Sequence, residues 1–458
     1  MKEMRDRSNE TRSHFESHKL DRRSVVGSVV GVVAALNYDA LGFAGTKYVR
    51  PEFFGAKGDG NTDDTVALNE SLSRSKVVSL TPNARYLITS SLALPAGASL
   101  IGNGNSTIYC ATSAPAILLA GTSDVLLRGF TIESDRNKFP ASEHHGIFVD
   151  WRSRGGQRVS IRNIIISNFA GDGIIALASQ ATPSRTLNVL GCNVSEVGGH
   201  GIIAQDYISS VCISGCHVSA TGLMIVDRPG ITASRHGTDI TISNNVVTGS
   251  SHALGRSVHG ISLDICERAK AVNNVSAGWM GYGIEIGGVT GGSVADNIIS
   301  NCDYGIGGSG VEKVFRNTDV VIERNTVARC GVGTYFSITG ATGLYLHRCI
   351  QFTDNIIDGT NAAGSELGFF LEYINGLAIR GGSVENLTKS GIYLLDCDDI
   401  DVQHLTIDRT NSSKTMGHAG LVLIWKRIRG VFHYSIQRVK FSNNGLQDKL
   451  VTQLPDSP

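Results

Sequence analysis

Two short strings hold most of the groups able to exchange protons at close quarters. SVHGISLD at 257–264 contains His259 and Asp264, and GYGIEIG at 281–287 contains Glu285. Two carboxyl groups and an imidazole suit general acid–base work, in which one group protonates a leaving oxygen and another takes a proton from water or carbon. That work needs all three on one surface, a few ångström apart. Asp264 and Glu285 are 21 residues apart in the chain, so the backbone must return on itself once between them.

The return is periodic. Strings of the same type recur as EHHGIFVD at 143–150, GGHGIIAQ at 198–205 and SGIYLLD at 390–396. A Gly followed by inward apolar residues opens a strand at Gly146, Gly173, Gly201, Gly222, Gly260, Gly283, Gly305, Gly333, Gly368, Gly391 and Gly420, at spacings of 21 to 38 residues. A second column, Asn163, Cys192, Cys216, Asn245, Asn274, Asn297, Asn325 and Asn355, runs beside it. Strand-period alternation broken by Gly or Asn at each turn, with no helical segments between, predicts an all-β fold. The expected architecture is a single-stranded right-handed parallel β-helix of about eleven coils with an N-terminal capping helix. Missing helices exclude a doubly wound α/β sheet. The Asn side chains should hydrogen-bond from coil to coil, and the Cys pairs 192/216 and 302/330 should fill the stack as small hydrophobes.

Bulk properties narrow the class. Formal net charge is zero over 458 residues, with no Lys/Arg-rich stripe, which argues against a nucleic-acid partner. Nine scattered cysteines form neither a disulfide framework nor a CxxC metal pattern. Residues 1–44 read as a leader. DRRSVVGSVVGVVAAL at 21–36 sets Arg22 and Arg23 before a short apolar segment resembling a twin-arginine export signal, although Asp21 replaces the usual Ser or Thr. The segment is too short for a stable membrane span, and a periplasmic or secreted location is expected. Residues 45–458 are expected to form the β-helix domain, with a capping segment at 50–76, coils at about 77–445 and a tail at 446–458.

RPEFFGAKGDGNTDDTVALNESL at 50–72 resembles the opening segment of pectate-lyase-superfamily β-helix proteins. The resemblance implies a first strand and a capping helix. Thr62 is the expected N-cap, Asp63 and Asp64 favour the helix dipole from the first turn, and Leu68 and Leu72 share a face. A twin-arginine-like leader joined to short repeats also resembles exported bacterial β-helix repeat proteins of unassigned activity. Gly199-His200-Gly201, Asn317-Thr318-Asp319, Asp398-Asp399 and Arg427-Ile428-Arg429 echo polygalacturonase motifs, but in the wrong chain order. The Asp-Pro-His motif of mannuronan epimerases is absent.

Within each Gly-opened strand the second and fourth residues point outward. The outer face is expected to carry Phe148 and Asp150, Met224 and Val226, Ser262 and Asp264, Glu285, Phe370 and Glu372, and Tyr393, with His145, Asp172, His200, His259, Tyr282 and Tyr304 just before the Gly. Long insertions at 134–145, 250–259, 360–367 and 409–419 should wall a cleft, with a second wall from 151–157 and 338–347. One coil and two strand positions separate Asp264 from Glu285, placing their Cβ atoms about 8 Å apart, as in an inverting glycoside hydrolase. A lyase would instead use His259 or Arg256 to remove a proton beside a uronate carboxylate. Catalysis is therefore assigned to His259, Asp264 and Glu285. Substrate binding is assigned to His145, Asp150, His200, Arg256, Tyr282, Tyr304, Phe370 and Glu372. Asp150 with His145, and Glu372 with Tyr373, lie about four coils to either side, roughly 19 Å away. The expected function is an exported carbohydrate-active enzyme, hydrolase or lyase, acting on a polysaccharide without a cofactor; Ca²⁺ has no support in the sequence. The alternative is a noncatalytic polysaccharide-binding or envelope structural protein.

Overall fold

A computed structural model describes residues 48–225, 227–250, 259–311, 316–339, 347–360, 364–414, 416–425, 433–445 and 448–453. The leader at 1–44 and Arg256 lie outside them.

The described chain is a parallel β-helix in which each coil contributes three short strands. A representative coil runs through Ile202–Gln205, Ile208–Ser214 and His217–Ser219. These pair in parallel with Ile174–Leu177, Ser184–Leu190 and Asn193–Ser195 of the preceding coil. On the other side they pair with Ile231–Ser243 and Val246–Thr248. One face stacks 15 strands from Asp59–Asp63 to Lys440–Ser442. That exceeds the eleven coils expected, because the early strands such as Val77–Ser79 and Ile117–Ala120 are not opened by Gly.

Register is held by the interior. Ile147, Ile174, Ile202, Ile231, Ile261, Ile284 and Ile306 lie side by side in successive coils and are at most 1% exposed. Burying each is worth about 1.5–3 kcal/mol, and a one-residue slip would turn the whole column outward. The Gly ahead of each is needed for close approach. A Cβ on Gly173 would sit 2.3 Å from Val194 Cγ1 and 2.7 Å from the Gly201 carbonyl oxygen.

The Asn ladder forms inside one corner. The Cys216 amide donates to Asn245 Oδ1 (2.8 Å), the Asn245 amide to Asn274 Oδ1 (3.0 Å) and the Asn274 amide to Asn297 Oδ1 (2.9 Å). Asn325 and Asn355 continue the run. Asn163 does not belong to it. It occupies the preceding corner position, left-handed at φ 51°, equivalent to Gly191 and Asn244, where Asn and Gly are tolerated best. Cys192 and Cys216 head the ladder as buried free thiols in hydrogen-bond contact, and Cys302 and Cys330 make a second such pair.

The helix that closes one end spans Thr65–Arg74, with Leu68 and Leu72 buried beneath it. Its start differs from expectation. Thr62 lies in the strand Asp59–Asp63 and the N-cap position falls at Asp64. Asp63 Oδ1 accepts the Thr65 amide (3.0 Å), while the Asp64 carboxylate accepts the amides of Lys57 (2.6 Å) and Gly58 (3.0 Å). Both aspartates are thus held in structural turns.

Gly222 opens no strand. It sits in a turn at φ 68°, and the strand begins after Gly230 as Ile231–Ser243. Thr232 and Ser234, rather than Met224 and Val226, therefore occupy the outer face of this coil, and Val226 lies outside the described residues. Among the described residues no helix is long and apolar enough to cross a membrane.

Candidate functional site

The outer column of second residues changes character along the axis. Leu118, Phe148, Ile175 and Ile203 form an apolar cluster at one end. Thr232, Ser262 and Glu285 follow in direct register, with Ser234, Asp264 and Gly287 in the neighbouring column.

Ser262 ties the acids together. Its Oγ lies 2.8 Å from Asp264 Oδ2 and 3.0 Å from Glu285 Oε2. The acid oxygens are thus no farther apart than those two bonds laid end to end. That is shorter than the roughly 6.5–9.5 Å of an inverting pair, so the expectation of a water-sized gap between them is corrected. A hydroxyl donates one hydrogen bond. Ser262 can therefore satisfy one carboxylate as donor and the other only as acceptor, which requires a proton on that second acid. Burial, with the charge of Glu285 behind it, pushes Asp264 up to about 8, and burial pushes Glu285 up to about 7. The pair holds a proton at neutral pH.

The three histidines before the Gly differ in tautomer. His259 Nδ1 accepts the Tyr282 amide (2.9 Å), leaving Nε2–H to face Glu285 Oε2 at 3.5 Å. Burial pushes this imidazole down to about 4. The lone pair that a base needs is occupied, so His259 serves as a neutral donor and is not set to abstract a proton. His145 repeats the pattern, its Nδ1 accepting the Asp172 amide at 2.9 Å with Asp172 Oδ2 farther off at 3.4 Å. His200 breaks it. The residue stacked on it is Pro229, which has no N–H. His200 Nδ1 instead lies 2.8 Å from Asp172 Oδ1, which also accepts the His200 amide at 2.6 Å. Nδ1 must be the donor, so Nε2 keeps its lone pair. Burial works to raise the Asp172 carboxyl, yet His200 and His145 hold it below its usual value.

A cavity of about 610 Å³ joins these groups, running from His200 and Thr232 past Ser262, Asp264 and Glu285 to Tyr304. One wall is Asp227–Pro229. The misplaced Gly222 register conceals this wall in the sequence, because the insertion between Gly222 and Gly230 reads as the strand itself. Of the expected walls, 251–258 and 340–346 lie outside the described residues. Thr232 Oγ1, buried on the cavity lining, has no hydrogen-bond partner.

Tyr282 and Tyr304 line the same cavity but belong to a ring stack. Centroids are 5.3 Å apart for His259–Tyr282, 4.9 Å for Tyr282–Tyr304, 4.8 Å for Tyr304–Tyr335, 5.2 Å for Tyr335–Phe370 and 5.4 Å for Phe370–Tyr393. Tyr335 was not singled out from the sequence. It reaches Tyr304 because Gly307 stands beneath it, where a Cβ would meet the Tyr335 carbonyl oxygen at 1.8 Å. Tyr335, Phe370 and Tyr393 lie within 11° of parallel from ring to ring, so their faces cover one another. Phe370 therefore presents an edge, which does not suit the sugar platform expected of it.

The outlying pairs separate. Asp150 is clamped by Arg152 at 2.9 Å, which holds its carboxyl below the usual range, and His145 turns to Asp172 instead. Glu372 hydrogen-bonds Ser337 in the neighbouring coil. Among the described residues no cluster of three or more His, Cys, Asp or Glu is placed to hold a metal ion.

Residues 97–259 match the family described as Right handed beta helix region. No curated protein matches the sequence. Among solved structures, the Azotobacter vinelandii mannuronan C-5 epimerase AlgE4 A-module is similar with TM-score 0.58 and 16% identity, over 85% of this chain and 100% of that one. PfbA, a surface adhesin of Streptococcus pneumoniae, is similar with TM-score 0.54 and 15% identity, over 84% of this chain and 93% of that one. At such identities the likeness establishes the right-handed β-helix fold alone.

Proposed function

We propose that the protein binds a polysaccharide along this cavity and cleaves it, the Asp264–Glu285 pair protonating the departing glycosidic oxygen. The observation that carries this reading is the Ser262 bridge between two buried acids in an open cleft. It keeps a carboxylic acid protonated near neutral pH, where an ordinary carboxyl would have ionised, and that is the property a general acid needs. His259 donates to Glu285 and steadies its charge once the proton has left. The leader supports an exported protein that meets such polymers outside the cytoplasm. Hydrolysis and elimination both use this proton donor.

The test is incubation with a panel of acidic and neutral polysaccharides, following reducing ends for any cleavage. Asp264→Asn and Glu285→Gln should each lower turnover by roughly 10²-fold or more, the usual weight of a positioned acid. Oligosaccharide binding without cleavage in the wild type would replace the enzyme by a binding protein.

A further inference from the structure

His200 is a second proton-transfer group whose arrangement the acid pair does not explain. Its repeat equivalent, His259, extends Nε2 to Glu285, the second residue of the next Gly-opened strand. The corresponding residue for His200 is Thr232, whose buried hydroxyl is unpartnered. Ser262 follows in register one coil on, about 4.8 Å away. A lone pair at His200 and a proton on the acid pair thus face each other across Thr232 and Ser262, with room for a single sugar ring. Arg228, on the wall beside Pro229, lines the same space and makes no ion pair among the described residues.

Resting on the polysaccharide reading above, we propose that the substrate is a uronate-containing polymer and that His200 is the base of a β-elimination. Arg228 pairs with the uronate carboxylate and makes the proton on C5 more acidic. His200 Nε2 removes that proton. The released electron pair forms the C4–C5 double bond as the C4–O4 bond breaks, and O4 takes the proton held by Asp264 and Glu285. One proton is taken and one given, no electrons enter or leave, and solvent returns the proton from His200 to the acids. Asp172 is a positioning residue. Through Nδ1–H it fixes the tautomer and orientation that keep Nε2 available, and as a carboxylate it stabilises the imidazolium that forms. Pro229 makes this possible by withholding the backbone donor that occupies Nδ1 of His145 and His259. The charged groups around His200 are Asp172 and His145 from the preceding coils and Asp227 and Arg228 from the wall.

The experiment compares polymannuronate, polygalacturonate and a glucuronate polymer with their carboxyl-reduced counterparts, recording reducing ends and the ultraviolet absorbance of the C4–C5 double bond together. Both signals should rise on a uronate polymer and neither on its reduced form. His200→Gln keeps a donor for Asp172 and should lower turnover about 10²-fold or more while oligouronate binding by calorimetry survives. Asp172→Asn should move the acidic limb of the kcat/KM profile to lower pH, a change that loss of packing alone would not produce. Reducing ends without absorbance would overturn the elimination and leave the acid pair as a hydrolase. Unchanged turnover in His200→Gln would place the base elsewhere. Absence of cleavage on every polymer would overturn both this inference and the cleavage reading beneath it.

Discussion

Replacing Asp264 by Asn should make the protein more stable, by an amount that grows with pH. In the native state Asp264 keeps its proton to about 8, chiefly through burial, whereas an unfolded aspartate releases it near 4. Between those values the native state binds a proton that the unfolded state has lost. Stability therefore falls as pH rises, by about 1.4 kcal/mol per pH unit for this one group. The amide of the variant cannot ionise in either state and escapes that slope. Wild type and Asp264→Asn should thus be of similar stability near pH 4, and the variant should lead by about 3 kcal/mol at pH 6. Urea unfolding followed by far-ultraviolet circular dichroism at pH 4, 5, 6 and 7 measures the divergence. A difference that stays flat with pH, or a wild type that gains on the variant as pH rises, would show that Asp264 ionises normally in the cleft and would remove the basis for a proton-holding pair.

Asn297→Ala deletes a ladder member that links three coils through buried hydrogen bonds, and should cost about 2–4 kcal/mol in the same unfolding assay. Gly307→Ala places a methyl against the Tyr335 carbonyl oxygen and should cost about 1–3 kcal/mol, with altered near-ultraviolet circular dichroism as the Tyr304–Tyr335 contact opens. Arg22→Lys together with Arg23→Lys keeps the leader's charge but alters the pair itself. Retention of that double variant in the cytoplasm, read by fractionation, is expected of twin-arginine export, and normal export would point to another route.

The sequence carried the fold where one residue type answers to one geometric need. Gly before each inward Ile and Asn at 245, 274, 297 and 325 report sterics and hydrogen bonding that few residues can meet, so the stack could be read directly. Where several residues serve equally, reading slipped. Gly222 and Gly230 both precede apolar residues, and only coil-to-coil pairing shows which opens the strand. Asn163 satisfies the left-handed corner as readily as the ladder, and only its φ separates the two. The acids at 264 and 285 were placed on one face correctly from alternation. Their convergence on Ser262 depends on rotamers, and the difference between His200 and His259 depends on the hydrogen-bond partner of one ring nitrogen. Pro229 is the single visible trace of that difference, legible only once it is known to stack on His200.

The paired thiols keep a chronology of the chain. Cys192 and Cys216 lie on adjacent coils, sulfur to sulfur, as do Cys302 and Cys330, and all four are sealed from solvent. Neighbouring parallel strands are about 4.8 Å apart, inside the span a disulfide can bridge. Once the coils have closed, no oxidant reaches these sulfurs; while the chain is open, any oxidant does. Counting alkylatable thiols after denaturing the mature protein would therefore date its folding. Four reduced sulfurs mean that the solenoid closed before it met an oxidising compartment, and two cross-links mean that it closed afterwards.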